Sequence, residues 1–333
     1  MNIGILGAGS IGCYLGGCLA PTGAKITLVG RPRIMDGIRE NSLRVTDYLG
    51  RNTLVKAEQL VLSTQADALA DCDLVLIAVK SGATKEAAES LSGVLPASCT
   101  VVSMQNGIGN ARVIKQALPN HPVYAGMVPF NVLYKAEGHF HQGTEGQLMI
   151  ETGPLPDGTH SVFEKAGLPL ARPTEFESIQ WGKLLINLNN SVNALSNVPL
   201  KEELSQQAYR KCVSLAMQEA LNVMKSAGIE PAKVTGLPPK LLPVLMKAPD
   251  WLFNRLARKM LEIDPLARSS MWEDLEAGRK TEIDWINGEV VNLANRIGEQ
   301  APVNQRLIEL MREAEKPKSR RSWSGKDLLA QLH

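Results

Sequence analysis

The chain has 333 residues, 44% of them hydrophobic and 21% charged, which is enough for two domains with an apolar core each. The 36 basic and 34 acidic side chains nearly cancel, which argues against a nucleic-acid-binding protein, since such proteins cluster basic residues. The sequence shows no signal-peptide pattern, and every apolar run is interrupted before the roughly 20 residues of a membrane span. We therefore expect a soluble, cytoplasmic protein with neither nucleic-acid nor membrane partners.

Short runs rich in Val, Ile and Leu alternate with helical patterns through the first half of the chain. Such runs, separated by helices, indicate a parallel sheet that is covered on both faces. The predicted strands are Asn2–Leu6, Lys25–Val29, Asp73–Val79, Thr100–Met104 and Val123–Val128. Residues 41–63 and 138–151 alternate instead, and we interpret them as an extra hairpin and an antiparallel addition at the sheet edge. This half is predicted to be a doubly wound, Rossmann-like α/β domain.

A glycine-rich loop follows the first predicted strand. Gly7-Ala8-Gly9-Ser10-Ile11-Gly12 matches GxGxxG and opens a predicted helix within a βαβ unit. In that context the first glycine permits a tight turn, the second lets the backbone approach a pyrophosphate, and the third lets helix and strand pack closely. The free N–H groups of the helix N-terminus then attract phosphate. We predict that all six residues bind a dinucleotide.

The end of the second predicted strand favours NADP over NAD. NAD enzymes usually place Asp or Glu there, but this chain has Val29-Gly30-Arg31-Pro32-Arg33. A guanidinium suits a 2′-phosphate because its planar fork donates two hydrogen bonds. We predict that Arg31 binds this phosphate, with Arg33 as a helper; the alternative is that both arginines only coat the surface.

Two further loops follow later strands, at the edge of the sheet where ligands bind in open α/β folds. One contains Lys80, and the other is 104–109, which includes Asn106. Asn106-Gly107 is also an ordinary turn signal, so a purely structural role is equally compatible with it.

Helical periodicity dominates from Glu175 onward. We place the domain boundary so that 1–173 binds the cofactor and 174–333 forms a helical substrate and dimerisation domain. Within it, 237–243 is predicted to be a loop and 251–260 a helix that packs on a core or a partner. The basic stretch 316–321 is predicted to be a solvated loop. Helical domains of this kind often pair by apolar faces, which suggests a homodimer.

Polar residues recur at helical spacing near the start of the second half. Lys183, Asn187 and Ser191 are spaced i, i+4, i+8, so on one helix they share a stripe. Such a stripe either faces solvent or lines a cleft, and spacing alone does not decide. Further on, Ser270 could cap a helix, and Glu282 could lie on a solvated helix face or in a substrate site.

Several of these segments together resemble the ketopantoate reductase family. The matching pieces are GAGSIG at 7–12, the Lys80 loop, QNG at 105–107, WGKLLINL at 181–188 and SSMWEDLEAGRKTEIDWINGEV at 269–290. The resemblance spans nearly the whole chain, and the last segment is its most specific part. It implies a two-domain enzyme that reduces the ketone of a small 2-oxo acid, 2-dehydropantoate, to (R)-pantoate with NADPH, on the route to coenzyme A.

The resemblance also implies roles for the residues of the second half. Lys183 would be the general acid that protonates the developing alkoxide, and Glu282 would act beside it on substrate, cofactor and lysine. Ser270 would help hold the substrate carboxylate, and Asn187 would bind a substrate hydroxyl or carbonyl group. Ser191 occupies a substrate-binding position where well-known members of the family have asparagine, which weakens the assignment of pantoate in particular.

In the first half, the resemblance implies that Asn106 binds substrate and cofactor and that Lys80 reaches the cofactor or the substrate. Two alternatives stay open: reduction of another small 2-oxo acid or an imine, and a non-catalytic NADP(H) sensor. No metal is expected. His139 and His141 should share one strand face but lack an evident third ligand, and the five cysteines form no CxxC pair.

Overall fold

The computed structural model describes residues 1–234, 236–257, 266–316 and 320–333. The chain divides into two compact units, Met1–Phe176 and Glu177–His333. The predicted boundary, between 173 and 174, lies three residues before this division. Among the described residues, no helix is both long and apolar enough to cross a membrane.

The first unit is built on a seven-stranded sheet in the order β11-β8-β7-β6-β1-β2-β5. All of its neighbouring strands are parallel except β11, which runs antiparallel to β8 at one edge. Its strands are β1 Asn2–Leu6, β2 Lys25–Val29, β5 Leu60–Ser63, β6 Leu74–Ile77, β7 Thr100–Ser103, β8 Val123–Met127 and β11 Met149–Ile150. The predicted Rossmann-like α/β architecture is confirmed.

Alternate residues of the central strands pack into different cores, which explains their continuous apolar runs. Ile3 and Ile5 of β1 belong to one buried cluster, whereas Leu6 belongs to the cluster on the opposite face. Leu74 and Val75 of β6 divide in the same way. Because side chains point alternately to the two faces, a strand covered on both sides needs an apolar residue at every position.

A second sheet of four strands, in the order β4-β3-β10-β9, covers helix α1. Its strands are β3 Leu43–Asp47, β4 Asn52–Val55, β9 Val132–Ala136 and β10 His139–Gln142. The helices of this unit are α1 Ser10–Leu19, α2 Pro32–Asn41, α3 Thr84–Glu89, α4 Asn110–Ala117 and α5 Thr159–Lys165. The hairpin predicted within 41–63 is therefore β3–β4. It pairs with β10 and not with the main sheet.

The second unit is helical, as predicted. Its helices are α6 Phe176–Asn187, α7 Asn189–Ser196, α8 Leu200–Ser205, α9 Gln207–Ser226, α10 Leu242–Lys247, α11 Asp250–Leu256, α12 Ser270–Glu276, α13 Ile283–Arg296, α14 Pro302–Ala314 and α15 Gly325–Ala330. The longest of them, α9, contacts α7, α8, α10, α13, α14 and α15. Small and apolar side chains along this helix are buried, such as Ala216, Met217 and Ala220. The helical core is thus arranged around α9.

Two details of the second unit differ from the sequence interpretation. The segment predicted as a loop at 237–243 contains a short 3-10 turn and the start of α10, where Pro243 is tolerated in the first helical turn. In the basic stretch, which was predicted to be solvated, Arg320 is half-buried. It forms an ion pair with Glu276 and lies over the ring of Trp272. Residues 317–319 of that stretch, and 258–260 of the predicted helix at 251–260, lie outside the described residues.

Candidate active site

The glycine-rich loop joins β1 to α1, and packing explains two of its glycines. Gly7 has φ of +98°, and a Cβ there would lie 2.5 Å from the backbone nitrogen of Val79. A Cβ on Gly12 would lie 2.5 Å from the carbonyl oxygen of Gly7. These two positions exclude larger residues because the loop is pressed against the strand end beside it and against its own helix.

Gly9 is the exception in this loop. A Cβ at Gly9 would meet only the Gly7 carbonyl oxygen, at 4.0 Å, so the space above it is open. Gly9 is also the residue before α1, whose first turn holds no acidic side chain. The unused N–H groups and the dipole of a helix N-terminus favour an anion in such a space. The loop therefore fits the pyrophosphate of a dinucleotide.

The residues predicted to recognise the 2′-phosphate lie one strand away. Arg31 directly precedes α2 and is exposed, and Pro32 occupies the first helical position. The first turn of α2 holds no acidic residue. Arg33 lies over the ring of Tyr134, with 5.7 Å between the guanidinium carbon and the ring centroid. Arg31 is thus next to the end of β2, where an NAD enzyme usually has an acid.

Lys80 and Asn106 lie on adjacent loops of the same unit, after the paired strands β6 and β7. Lys80 is exposed, whereas Asn106 is half-buried. A hydrogen bond joins the two loops: the Ser81 hydroxyl donates to the Asn106 carbonyl oxygen at 2.9 Å. Since β6 also pairs with β1, both loops lie at the sheet edge that carries the glycine loop.

The polar stripe predicted in the second unit is interrupted. Lys183 and Asn187 lie on α6, but Ser191 lies on α7, after a break at Leu188. Ser191 is fully buried, and its hydroxyl donates to the Leu188 carbonyl oxygen at 3.1 Å. This carbonyl lies at the break between α6 and α7, and the Ser191 hydroxyl is its hydrogen-bond donor. The asparagine of well-known family members has a longer side chain at this position.

Lys183 and Glu282 interact electrostatically. Glu282 directly precedes α13 and is 4% exposed, so the alternative of a solvated helix face is wrong. Burial lowers the pKa of Lys183 to about 8, and the nearby negative charge of Glu282 partly opposes that shift. A lysine whose pKa lies near neutrality releases a proton more readily than one in water, which suits a general acid.

Ser270 begins α12 but does not cap it. The cap is its neighbour Ser269, whose hydroxyl oxygen accepts the N–H of Trp272 at 3.2 Å. The prediction that Ser270 caps this helix is therefore wrong, because either of two adjacent serines can satisfy the pattern. Capping by Ser269 leaves the half-buried Ser270 in the first turn.

Sequence reasoning missed a buried polar chain that fixes Ser269 and thereby its neighbour Ser270. Asn193 of α7 accepts the Ser269 N–H at 2.9 Å and donates to Glu203 of α8 at 2.7 Å. The Ser269 hydroxyl donates to the Asn190 carbonyl oxygen at 3.1 Å. The signal for this chain was available: asparagine inside an apolar helical pattern is a poor helix former. Its partners, however, lie 10 and 76 residues away.

His139 and His141 share one face of β10, as predicted. Thr46 Oγ1 lies 2.9 Å from His139 Nε2 and 2.8 Å from His141 Nδ1. Within the described ranges, no three His, Cys, Asp or Glu side chains form a group that could hold a metal ion. The five cysteines, which all lie in the described part, are free and buried.

A Rossmann-like unit with a dinucleotide-type glycine loop, followed by a helical unit with a Lys–Glu pair, is the architecture of a two-domain oxidoreductase, and comparison with known proteins bears this out. The family model "Ketopantoate reductase PanE/ApbA" matches residues 3–154. The model "Ketopantoate reductase PanE/ApbA C terminal" matches residues 175–315. The chain belongs to the ketopantoate reductase family.

Relatives and solved structures agree over almost the full length. A 2-dehydropantoate 2-reductase of Pyrococcus abyssi is 28% identical, with 95% of this chain and 98% of the relative covered. A PanE/ApbA family ketopantoate reductase from Ralstonia eutropha has a TM-score of 0.81 and 28% identity, covering 95% of this chain and 98% of its own. The fold is shared with D-mandelate dehydrogenase in complex with NADH and anilino(oxo)acetate, at a TM-score of 0.76, 21% identity and coverage of 95% and 98%.

Proposed function

We propose that the protein reduces the ketone of 2-dehydropantoate to (R)-pantoate with NADPH. The observation that carries the proposal is the Lys183–Glu282 pair, in which a partly buried ammonium has a pKa of about 8 beside a buried carboxylate. NADPH supplies the hydride that the carbonyl carbon receives. The ketone oxygen then takes its proton from Lys183. The hydride thus supplies both electrons and one hydrogen of the new alcohol, and Lys183 supplies the other hydrogen.

Each of the other residues has a binding role in this proposal. The Gly7–Gly12 loop holds the pyrophosphate, and Arg31 donates to the 2′-phosphate. Lys80 reaches the cofactor, and Asn106 contacts cofactor and substrate. Glu282 also contacts the cofactor and keeps Lys183 protonated. The substrate is held by Asn187, Ser191 and Ser270, of which Ser270 binds its carboxylate.

Lys183 stabilises the transition state as well as donating a proton. Negative charge grows on the ketone oxygen as hydride arrives, and a cation aimed at that charge is worth most where water is excluded. Lys183→Ala should therefore reduce kcat by a factor of about 100 or more while leaving NADPH affinity unchanged. Activity equal to that of the wild type would remove Lys183 from the mechanism.

The cofactor preference is tested by Arg31→Ala. The Michaelis constant for NADPH should rise far more than that for NADH, because only NADPH carries the 2′-phosphate. Arg39→Ala is a matched control, since this arginine lies on α2, which Arg31 precedes, and is engaged with Asp36 and the Leu62 carbonyl oxygen. Equal effects of Arg31→Ala on both cofactors would contradict the phosphate role.

Reduction of another small 2-oxo acid is the second candidate, and Ser191 favours it. This buried serine stands where well-known members of the family have asparagine, and its hydroxyl is engaged with the Leu188 carbonyl oxygen. The test is NADPH oxidation with 2-dehydropantoate and a panel of other 2-oxo acids. Equal turnover of all of them would reject 2-dehydropantoate as the specific substrate. NADPH binding without any turnover would instead support the sensor alternative.

The proposal includes a homodimer formed through the helical unit. Its support is a set of large apolar side chains on α10 and α11 that are 63–70% exposed: Val244, Trp251 and Leu256. Such side chains favour a protein partner over water. Sedimentation of the wild type and of Trp251→Ser tests this: a monomer in both cases would reject the dimer.

A further inference from the structure

A group of buried, uncharged polar side chains lies at and just beyond the carboxyl ends of β6 and β7. Each of them is at most 8% exposed: Ser81, Thr84, Ser103, Gln105 and Asn110. None of them binds or reacts with a ligand in the proposed function. Burying a polar group is costly unless it is hydrogen-bonded, so the bonds within this group show what the group holds in place.

Asn110, the first residue of α4, is at the centre of the group. Its Nδ2 donates to the Asn106 carbonyl oxygen at 2.7 Å and to Ser81 Oγ at 3.2 Å. Its Oδ1 accepts the Thr84 hydroxyl at 2.9 Å. A backbone carbonyl can only accept, so Nδ2 must face Asn106, and the orientation of the amide is fixed. One side chain thus bonds to both loops.

The same group fixes the backbone on each side of Lys80. Gln105 Nε2 donates to the Val79 carbonyl oxygen at 3.1 Å and to Thr84 Oγ1 at 2.6 Å. On the other side of Lys80, the Ser81 carbonyl oxygen lies 2.8 Å from Thr84 Oγ1 and shares the one hydroxyl proton with Asn110 Oδ1. The main chain that carries Lys80 is therefore held at both neighbours, although its side chain is exposed.

We propose that Asn110 and Thr84 are positioning residues, which hold the Lys80 loop and the Asn106 loop in one arrangement and thereby set the affinity for the cofactor. The inference rests on the proposed function, in which Lys80 and Asn106 contact the cofactor. Asn110 and Thr84 are themselves buried, at 5% and 2% exposure, and their polar side-chain atoms are taken up by the hydrogen bonds of this group. They act through the loops, because a pre-formed site binds without first having to order its residues.

The test compares two substitutions at Thr84. Thr84→Val replaces the hydroxyl by a methyl group of similar size and removes this partner from Gln105 Nε2, Asn110 Oδ1 and the Ser81 carbonyl oxygen. Thr84→Ser keeps the hydroxyl. We expect the dissociation constant for NADPH, measured by fluorescence titration, to rise about tenfold or more in Thr84→Val and to return to near the wild-type value in Thr84→Ser. The KM for NADPH should follow, and kcat at saturating NADPH should change much less.

A second variant and a control separate positioning from loss of stability. Asn110→Asp keeps the shape but removes the donor to Asn106, and it should weaken NADPH binding in the same way. Asn304→Ala removes a fully buried amide of the helical unit, which bonds to Asn287 and Glu219. It should lower the melting temperature without changing the NADPH dissociation constant.

The outcomes are distinct from those that test the function. If the wild type binds NADPH and both Thr84→Val and Asn110→Asp bind it within twofold of the wild type, the positioning role is wrong. If all of them bind as expected but no 2-oxo acid is reduced, the proposed reaction is wrong and the positioning role stands. If the wild type binds no NADPH, the cofactor assignment and this inference both fail.

Discussion

Among the single residues, Lys183 is the one whose proton the proposed reaction uses. Its pKa is lowered to about 8, chiefly by burial. A general acid must be protonated to act, so kcat/KM for ketone reduction should be constant below this pKa and fall as the pH rises through about 8. Oxidation of the alcohol needs the neutral amine and should show the opposite trend. Steady-state rates between pH 6 and 10 measure both.

The carboxylate of Glu282 sets the pH at which kcat/KM begins to fall, which is the break in the pH profile. Its negative charge raises the Lys183 pKa, so Glu282→Gln leaves burial unopposed and should move the break to lower pH. Glu299→Gln, the same change at an exposed position of the helical unit, is the control and should leave the break in place. An unchanged break in Glu282→Gln would show that this carboxylate does not act on the lysine.

Glu203 is a second buried acid, and its effect should appear in stability. Burial raises its pKa from 4.5 to about 8, against hydrogen bonds from Asn193 and Asn189 that favour the charged form. The folded state therefore holds this proton more tightly than the unfolded state, and stability is lost as the pH rises from about 4.5 to about 8. Each unit of pKa difference corresponds to about 1.4 kcal/mol.

Glu203→Gln supplies a neutral side chain of the same shape and should remove this loss. Its free energy of unfolding in urea should rise relative to the wild type as the pH increases from 5 to 8, with little further relative change above 8. Glu202→Gln, an exposed neighbour on the same helix, is the control. If the difference between Glu203→Gln and the wild type did not depend on pH, Glu203 would be charged in the folded protein.

At the scale of the elements, the placement of α6 depends on a close crossing at Gly182. A Cβ there would lie 2.3 Å from the Ala232 carbonyl oxygen, and the Ala232 N–H is bonded to the Ser178 carbonyl oxygen at 2.8 Å. Gly182→Ala must therefore push α6 or the 230–234 segment aside. We expect a destabilisation of about 1–3 kcal/mol and a lower kcat, since Lys183 is the next residue.

A second helical glycine provides a control of opposite sign. A Cβ on Gly288 of α13 would have only ordinary contacts, the nearest being Asp284 Cβ at 3.6 Å. Gly288→Ala should stabilise the protein by about 0.5–1 kcal/mol, because alanine has the higher helix propensity. Thermal melts of the two variants measure both effects. If the two variants melted at similar temperatures, α6 and the 230–234 segment would be able to move apart without loss of stability.

Local patterns predicted most elements of the first unit but not how they pair. The strands β1 and β2 were predicted with their observed bounds, because apolar runs bounded by glycine are a local signal. The pairing of β10 with β3, which creates the second sheet, joins residues about 95 positions apart, such as His139 and Arg44. Periodicity contains no information on such a partner, so β10 was not expected beside the hairpin.

The candidate site shows the same limit. Lys183 and Glu282 were predicted by resemblance, yet only the fold shows that Glu282 is buried and affects the pKa of the lysine. The break at Leu188 was not predicted because helical spacing continues across it. Thr84 and Asn110, in turn, look like ordinary residues at helix starts until their mutual bond is seen.

At the scale of the whole molecule, the units Met1–Phe176 and Glu177–His333 have different tasks in the proposal. NADPH should act chiefly on the first of them, because all of its proposed contacts except Glu282 lie there. At about 100 times its dissociation constant, NADPH should stabilise the folded protein by about 2.7 kcal/mol. Hydrogen exchange should slow at the 7–12, 80–84 and 105–110 loops, because most of the proposed contacts to the cofactor lie there. Unchanged exchange in these three loops with NADPH present would contradict the assignment.

Gly9→Ala is the variant that makes this measurement specific. Its Cβ meets only the Gly7 carbonyl oxygen, at 4.0 Å, and its φ of −93° suits any residue, so the variant should fold with wild-type stability. The added methyl group would occupy the space in which the pyrophosphate is proposed to lie. NADPH should therefore no longer raise its melting temperature or slow exchange in the three loops. If Gly9→Ala bound NADPH as tightly as the wild type, the pyrophosphate would lie elsewhere.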